Sequence, residues 1–367
     1  MIVGIITFHN AINYGAVLQC YALKEFLTKR GHNVQVLNYR NPYVEDYSKI
    51  VPLTVVSKEK GLLAKAKCII KNLILYKKKQ KISKVFKAFV STRLNISSKI
   101  ISSPNIPSNY DYILFGSDQI WNPKLCGGFD PVFWGQFPKG EAKFVAYAAS
   151  AGNPSLFSED DWQRAFSYLK AFDFISVREL VLKQELIQRF SFSVSNTIDP
   201  TLLVEPEVFS SIARTPAINN YIFVYNVMND DYSEEFAAFL AKKIGGVVVI
   251  GQAKPRVKSI KKLNDSILLD SASPEEFLGY IKNARIILGN SFHSIALSIA
   301  FRKDFYSLDS SKSERVFSLL SQIGLVSRHV KSTDRNIGLE SIDYLVVEPK
   351  LEQLRKDSIQ FVSNSGL

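Results

Sequence analysis

Short apolar runs alternate with amphipathic segments along most of the chain, and polar turns separate them. Ile2–Thr7 and Tyr112–Phe115 are continuous apolar runs, as in parallel strands that are buried on both faces of a sheet. The segment that follows the turn at Gly15 and runs to about Arg30 has apolar residues at helical spacing, and Gly31 is a natural helix terminator. This alternation predicts α/β domains with doubly wound parallel sheets.

The alternation restarts near Asn220, where a second series of strands and helices begins with the apolar run Tyr221–Tyr225. A chain of 367 residues suits two domains, because one domain usually takes roughly 100–200 residues. We predict a Rossmann-like domain at 1–215, a second Rossmann-like domain at 216–345, and a C-terminal helix at 346–367 that returns to the first domain.

Composition places the chain among soluble globular proteins, since 46% of its residues are hydrophobic and 22% are charged. Its start has neither a basic segment nor a small-residue cleavage site, and no apolar run approaches the ~18 residues of a transmembrane helix. Cys20, Cys68 and Cys126 lie too far apart for a disulfide framework or a metal site. We therefore predict a cytoplasmic protein with no metal centre.

Positive charge is concentrated in one segment. The chain has a net charge of +12, and residues 58–99 contain twelve lysines and Arg93 against one acid, Glu59. The remainder is close to neutral, which is not the pattern of a nucleic-acid-binding protein. Apolar residues at helical spacing run between the lysines, so we predict a basic helical insert. Two interpretations stay open: a helix pair on an anionic membrane surface, or a helical hairpin packed on the domain with solvated lysines.

Five polar clusters lie at predicted strand ends. They are residues 9–15, 116–122, 149–152, 178–179 and 289–294. In open α/β sheets, ligands bind beyond the carboxyl ends of the strands and near helix N-termini, so we expect the functional site there. The turn at Gly15 matches neither a dinucleotide-binding nor a Walker A pattern. A glycine there either lets backbone N–H groups approach an anion or only shapes a tight turn.

Four side chains in these clusters have chemistry suited to a sugar or an anionic substrate. Asp118 can take a proton from a sugar hydroxyl, and Trp121 can stack on a sugar ring. Arg178 ends an apolar strand, where a fixed guanidinium suits bidentate recognition of phosphate or carboxylate. His293 lies between a strand and a helix and is the natural acid–base candidate. The structural alternatives are, respectively, a helix cap, a core aromatic residue, a salt bridge and a buried structural histidine.

Several short motifs occur in order along the chain. They are Thr7-Phe8-His9, Asn13-Tyr14-Gly15-Ala16-Val17-Leu18-Gln19, Gly116-Ser117-Asp118-Gln119-Ile120-Trp121-Asn122-Pro123, Tyr147-Ala148-Ala149-Ser150, Ser176-Val177-Arg178-Glu179, Asp199-Pro200-Thr201-Leu202-Leu203 and Ser291-Phe292-His293. Together, from about residue 2 to residue 330, they resemble the polysaccharide pyruvyl transferase family. The ordered set is specific, although each piece alone is weak.

The resemblance implies a glycosyltransferase-B-like fold, in which two Rossmann-like domains face a cleft. It implies transfer of pyruvate from phosphoenolpyruvate to a sugar as a cyclic ketal, with Asp118, Arg178 and His293 as catalytic residues. We predict no cofactor, since phosphoenolpyruvate is the donor substrate. The acceptor is then a sugar of a bacterial exopolysaccharide or capsule, or of its lipid-linked oligosaccharide precursor, and the basic segment is a candidate for binding the inner face of the membrane. The predicted substrate-binding residues are His9, Asn13, Tyr14, Gly15, Ser117, Gln119, Trp121, Asn122, Ser150, Ser291, Ser294 and Arg315.

One stretch departs from the family pattern. Where better-studied members have a Ser-Arg-Leu-His-like run, this chain has Asn290-Ser291-Phe292-His293, without an arginine. A cation that binds the donor must then come from elsewhere, and Arg178, Arg315 and Lys312 are the candidates. Two other functions stay open: a nucleotide-sugar-dependent glycosyltransferase of the same fold, and a non-catalytic glycan- or lipid-binding protein.

Overall fold

The computed structural model describes most of the chain. The described residues are 1–49, 51–98, 109–227, 231–252, 266–309, 314–331, 333–334 and 337–367. Within these ranges the chain forms two parallel sheets with helices packed on them. Lys99, the last residue of the basic segment, and Lys312, a candidate cation, lie outside the described residues.

The first sheet has six parallel strands in the described residues. They are β1 (Ile2–Ile6), β2 (Asn33–Val36), β3 (Tyr112–Asp118), β4 (Lys143–Ala149), β5 (Phe174–Val177) and β6 (Val194–Asn196). The strands lie side by side in the order β2-β1-β3-β4-β5-β6. Strand β3 is buried along its whole length, as its continuous apolar sequence predicts for a central parallel strand.

The second sheet also has six parallel strands in the described ranges. They are β7 (Tyr221–Asn226), β8 (Val247–Gln252), β9 (Ser266–Leu269), β10 (Ile286–Gly289), β11 (Phe305–Leu308) and β12 (His329–Val330). Their order is β12-β11-β10-β7-β8-β9, which is the strand order of the Rossmann fold. The predicted fold class of two doubly wound parallel α/β units is confirmed, although the sequence does not predict β6, β9, β11 and β12 individually.

Fifteen α-helices lie in the described residues. Up to residue 215 they are α1 (Tyr14–Lys29), α2 (Pro42–Ser48), α3 (Leu53–Lys58), α4 (Leu62–Ile74), α5 (Tyr76–Arg93), α6 (Pro123–Cys126), α7 (Glu159–Leu169), α8 (Leu180–Phe190), α9 (Pro200–Leu203) and α10 (Pro206–Ser210). The later ones are α11 (Asp231–Ile244), α12 (Pro274–Asn283), α13 (Phe292–Ala300), α14 (Glu314–Ile323) and α15 (Tyr344–Asn364). No helix in the described part of the chain has both the length and the apolar character needed to cross a bilayer.

The C-terminal helix α15 begins earlier than the sequence predicts and contains Pro349. It begins at Tyr344 because the carboxylate of Asp343 caps it by accepting a hydrogen bond from the backbone N–H of Leu345, at 3.0 Å. Farther along, the hydroxyl of Ser358 accepts a hydrogen bond from the backbone N–H of Ile198 at 3.0 Å. The helix therefore lies against the segment that follows β6.

The two basic helices pack in different ways. Helix α5 buries Ile82, Phe86 and Phe89 in the core of the first sheet, so for α5 the packed-helix interpretation holds. In α4 only Asn72 is buried, and the large aliphatic residues are exposed. Residues 62–74 and 76–93 of the lysine-rich stretch are thus helical, but of these two helices only α5 contributes apolar residues to the core.

The strand order reverses at β1/β3 in the first sheet and at β7/β10 in the second, and ligands of doubly wound sheets bind at such points. Helix α1 follows β1, α13 follows β10, and the two helices pack against each other. Tyr14 of α1 stacks on Phe277 of α12 with 4.2 Å between ring centroids, and its hydroxyl donates a 2.7 Å hydrogen bond to the carbonyl of Ala272. These contacts join the two switch points at one interface.

Candidate active site

A cleft that is partly open to solvent lies where the two domains meet. Its lining comes from both domains and consists of Arg178, Glu179, Asn196, Thr197, Ile198, Asp199, Phe292, Arg315, Ser318, Leu319 and Gln322. The first six lie at the carboxyl ends of β5 and β6, and the others belong to the first turn of α13 and to α14. The cleft is thus at the carboxyl ends of the strands, where the sequence predicts the site.

Asp199 is the carboxylate at the centre of this region, and its side chain is fully buried. Its Oδ2 accepts hydrogen bonds from Ser117 Oγ and Arg178 Nη1, both at 2.8 Å, and lies 3.4 Å from His293 Nε2. Its Oδ1 accepts the backbone N–H of Thr201 at 3.0 Å and caps α9. Burial alone would raise the pKa of Asp199, but His293 and Arg178 lower that pKa well below its ordinary value. Asp199 is therefore ionised, and it joins residues of both domains.

Arg178 is held by several groups at the end of β5. Its Nε donates to Glu179 Oε1 at 3.1 Å, its Nη1 donates to Asp199, and its guanidinium carbon lies 4.3 Å from the ring centroid of Phe292. Burial lowers the pKa of Arg178, but the carboxylates of Glu179 and Asp199 outweigh burial and raise it. The predicted salt bridge with Glu179 is therefore present, while the arginine also lies on the wall of the cleft.

Three buried polar atoms in this region have no hydrogen-bond partner among the described residues. They are Nη2 of Arg178, Oε2 of Glu179 and Nε2 of His293. The imidazole Nε2 is within ion-pair distance of Asp199 but does not form a well-oriented hydrogen bond with it. A buried polar atom without a partner costs about 1–3 kcal/mol, so three together indicate a place where a ligand supplies the partners.

Arg315 is the second arginine of the cleft and lies in the first turn of α14. The side-chain amide of Gln119 is oriented so that both of its polar atoms have partners. In this orientation the Gln119 oxygen accepts hydrogen bonds from Arg315 Nη1 at 3.2 Å and Nη2 at 3.3 Å. Burial and the positive charge of Arg178 lower the pKa of the Arg315 guanidinium. An anion bound near both guanidinium groups would relieve this repulsion.

His293 lies in the first turn of α13, where its ring occupies the space beside Gly15 of the first domain. A methyl group on Gly15 would overlap the imidazole, so this glycine makes room for His293. This contact is a structural reason for the glycine, and the predicted approach of an anion to the Gly15 backbone stays a prediction. Its neighbours at the start of α1 are also structural, since Asn13 caps the helix by accepting from Ala16 N at 3.3 Å and Tyr14 is buried at the domain interface.

The segment 116–122 divides into supporting and core residues. Ser117 is fully buried and bonds to Asp199, while Asp118, at φ 69°, accepts a 2.9 Å hydrogen bond from the next backbone N–H. Trp121 is only 1% exposed and stacks on Trp134 with 4.8 Å between ring centroids, so the prediction that it stacks on a sugar is wrong. Asn122 caps α6.

His9 is a buried histidine with both ring nitrogens occupied. Its Nδ1 lies 3.3 Å from the carbonyl of Thr7 and its Nε2 lies 3.3 Å from Asn38 Oδ1. Burial lowers the pKa of His9. The prediction that His9 binds substrate is therefore not supported by its surroundings, which are those of a neutral structural histidine.

The predicted serines take supporting positions. Ser150 is buried and its hydroxyl donates to Glu179 Oε1 at 2.7 Å, which orients that carboxylate at the cleft. Ser294 donates to the carbonyl of Ser291 at 2.8 Å within the first turn of α13, and Ser291 makes no side-chain capping bond. The predicted phosphate contacts of these two serines stay predictions.

Asp199 and Glu179 are the residues that sequence reasoning did not select for the site. Each stands beside a predicted feature: Glu179 follows Arg178, and Asp199 precedes Pro200 at the end of the first sheet. An aspartate before a proline is typical of a helix start, and β6 ends at the same edge as β5. Within the described ranges, no group of three or more His, Cys, Asp or Glu residues is arranged to hold a metal ion.

Comparison with known proteins gives the class to which this fold and cleft belong. The family model described as "Polysaccharide pyruvyl transferase" matches residues 13–312. The chain therefore belongs to the polysaccharide pyruvyl transferase family, and it is a transferase, as its motifs predict. A search of curated proteins found no match.

Solved structures with similar folds have low sequence identity to this chain. MnaA of S. aureus in complex with UDP has a TM-score of 0.49 at 10% identity, covering 97% of this chain and 90% of that one. The glycosyltransferase SnogD from Streptomyces nogalater has a TM-score of 0.45 at 11% identity, covering 98% and 96%. The heptosyltransferase WaaC of E. coli, with an ADP-fluoroheptose, has a TM-score of 0.39 at 12% identity, covering 85% and 89%.

Proposed function

We propose that this transferase moves the pyruvate unit of phosphoenolpyruvate onto a sugar as a cyclic ketal, in the cleft between its two domains. The observation that carries the proposal is the group of unpartnered buried atoms on Arg178, Glu179 and His293. Arg178 and Glu179 line the cleft, and the imidazole of His293 lies 3.4 Å from Asp199, which lines it as well. An anionic enol phosphate and a sugar hydroxyl need these three kinds of group.

The donor carries about three negative charges, and Arg178 and Arg315 are the cations proposed to bind it. The cleft is not uniformly cationic, because Asp199 and Glu179 both pair with Arg178. These carboxylates fix the guanidinium and leave Nη2 for the ligand. In this proposal Arg315 supplies the positive charge that other family members have in the arginine shortly before the histidine, where this chain has Asn290-Ser291-Phe292.

His293 is the proposed proton donor. It protonates the methylene carbon of phosphoenolpyruvate, which makes C2 an oxocarbenium-like centre. One sugar hydroxyl attacks C2, the bond from C2 to the phosphate oxygen breaks, and a second hydroxyl closes the ketal. Of the two hydroxyl protons, one replaces the proton that His293 gave and the other leaves with phosphate. The ionised Asp199 is the neighbouring charge that compensates an imidazolium at this position.

Two carboxylates are candidates for the base that takes a proton from the sugar. Glu179 lines the cleft and its Oε2 has no partner among the described residues, whereas Asp118 Oδ1 already accepts a backbone hydrogen bond. Glu179 is therefore our first candidate, and the role of Asp118 stays a prediction. Glu179→Gln should lower kcat more than Asp118→Asn, and the reverse order would return the role to Asp118.

The proposed acceptor is a sugar of a bacterial polysaccharide or of its lipid-linked precursor. A lipid-linked acceptor would be reached by a cytoplasmic enzyme working at the inner face of the membrane, which fits the basic helices α4 and α5.

The test is to incubate the protein and candidate acceptors with phosphoenolpyruvate. We expect release of inorganic phosphate that depends on the acceptor, and mass spectrometry of the acceptor should show a gain of one pyruvate less one water. Parallel incubations with nucleotide sugars test the glycosyltransferase alternative. Sugar transfer there without ketal formation from phosphoenolpyruvate would overturn the proposal, as would binding of glycans without either reaction.

A further inference from the structure

Helix α4 is oriented against the usual pattern of a surface helix, because its apolar side faces away from the protein. Leu62 is 87% exposed and Leu63 is 80% exposed, and three more aliphatic residues, Ile70, Leu73 and Ile74, are exposed as well. These five residues lie on one side of the helix at its 3.6-residue period. We refer to them as the α4 apolar face.

The opposite side of α4 is the one that packs on the protein. The buried Asn72 accepts a 2.6 Å hydrogen bond from Lys79 of α5, and Cys68 is partly buried on the same side. Helix α4 also packs against α3. A soluble surface helix buries its apolar side and exposes its polar side. The reversed arrangement leaves the α4 apolar face without a covering element in the described residues.

Charge indicates what covers this face. Helices α4 and α5 contain no aspartate or glutamate, and Lys67 and Lys71 of α4 are exposed beside the apolar face. An aliphatic face bordered by lysines, on a single convex helix, suits a fluid anionic surface that accepts both side-chain types. A second copy of this chain would instead bring a further set of lysines against these lysines.

We propose that the α4 apolar face inserts into the headgroup region of an anionic lipid bilayer, with Lys67 and Lys71 at the phosphates. The inference rests on the proposed function only for its biological purpose, because an enzyme acting on a lipid-linked acceptor works at a membrane. Helix α5 is not the inserting element, since its apolar side is already buried. This assigns the membrane contact to one helix of the basic pair.

The experiment is flotation of the full chain, without substrates, with vesicles of phosphatidylcholine plus phosphatidylglycerol and with vesicles of phosphatidylcholine alone. The chain should bind the mixed vesicles. Leu63→Gln, Ile70→Gln and Ile74→Gln together should weaken this binding by more than about tenfold. These side chains are exposed, so circular dichroism and the melting temperature should match the wild type.

The matched control is another exposed aliphatic pair at the start of α15. Leu345 is 86% exposed and Val346 is 60% exposed, but their helix also carries Glu348 and Glu352. Leu345→Gln with Val346→Gln should leave vesicle binding unchanged. Equal losses in both variants would mean that exposed apolar residues act nonspecifically, which would overturn the assignment to α4.

The lysines are tested separately. Lys67→Gln with Lys71→Gln should weaken binding to the mixed vesicles by about thirtyfold, whereas the exposed pair Lys29→Gln with Lys356→Gln should change it less than about threefold.

Three results would overturn the inference: no binding of the wild type to mixed vesicles, equal binding to neutral vesicles, or a dimer in lipid-free solution that the triple glutamine variant abolishes. Phosphate release with a soluble acceptor, measured on the wild type and on the same variants, keeps the two proposals separate. If the wild type transfers pyruvate but does not bind the mixed vesicles, only the membrane surface is wrong.

Discussion

Two buried histidines follow apolar strands in this protein, and their surroundings differ. His9 follows β1 and has a partner for each ring nitrogen, in Thr7 and Asn38. His293 follows β10, faces the first domain across the interface, and has a buried Nε2 without a hydrogen bond among the described residues. Position at a strand end and burial are common to both. What separates a candidate catalytic group from a structural one is therefore whether the protein already satisfies its polar atoms.

The largest expected effect separates these histidines directly. His293→Gln should lower kcat about a thousandfold, because general acid catalysis contributes roughly 10²–10⁴ to a rate. His9→Gln should keep kcat within about twofold and instead lower the free energy of unfolding by about 1–3 kcal/mol, since it disturbs buried hydrogen bonds. Steady-state phosphate release and urea unfolding of both variants measure this. Equal losses of kcat in both variants would contradict the assignment of a catalytic role to His293 and a structural role to His9.

Gly15 tests whether the position of the imidazole matters. Alanine favours helices, so Gly15→Ala within α1 would ordinarily stabilise the protein. Its methyl group would overlap the ring of His293, however, and should displace it. A displacement of about 1 Å can cost up to about a hundredfold, so we expect kcat to fall by about tenfold to a hundredfold. A stabilised variant with unchanged kcat would contradict the predicted contact.

Arg315 tests the second cation of the cleft. Arg315→Gln should raise KM for phosphoenolpyruvate by about thirtyfold, because a charge-assisted hydrogen bond contributes roughly 1.5–3 kcal/mol. The control is Arg302→Gln, an exposed arginine that pairs with Glu348 and is not part of the cleft lining. If both variants bind the donor equally well, Arg315 is not a donor ligand.

The smallest expected effect is the contribution of Asp199 to the pH dependence of the free energy of unfolding. Although burial raises its pKa, His293 and Arg178 lower it below the ordinary value, so the native state binds fewer protons than the unfolded chain in acid. The resulting stability is fully present above about pH 4 and is lost as the pH falls below that, by up to about 1.4 kcal/mol per pH unit. The free energy of unfolding, measured with urea between about pH 5 and about pH 3, should therefore fall less steeply in Asp199→Asn, by up to about 1.4 kcal/mol per pH unit. Parallel curves would show that Asp199 is not the responsible carboxylate.

The sequence was sufficient for the fold class and for the edge of the sheets at which the cleft lies. Continuous apolar strands and strand-end polar clusters are local features, so Arg178 and His293 could be selected from them. Whether a buried polar atom has a hydrogen-bond partner, in contrast, depends on residues from other elements. The partners of His9 and Trp121, namely Asn38 and the carbonyl of Phe133, come from separate elements, and only tertiary packing joins them.

The sequence does not indicate Asp199 as a site residue, because its local role hides its distant one. Its sequence context predicts a helix cap, and it does cap α9 through Oδ1. Its second oxygen, however, bonds to Ser117 and Arg178 and lies near His293, which are far from it in sequence. A residue with one local and one distant role shows only the local role in its sequence pattern.

The most direct test of the central claim is a crystal structure with bound phosphoenolpyruvate. We predict that its carboxylate or phosphate accepts a hydrogen bond from Arg178 Nη2, that Arg315 contacts the same ligand, and that its methylene carbon lies beside His293. Donor bound elsewhere on the protein, with the cleft residues unchanged, would contradict the account.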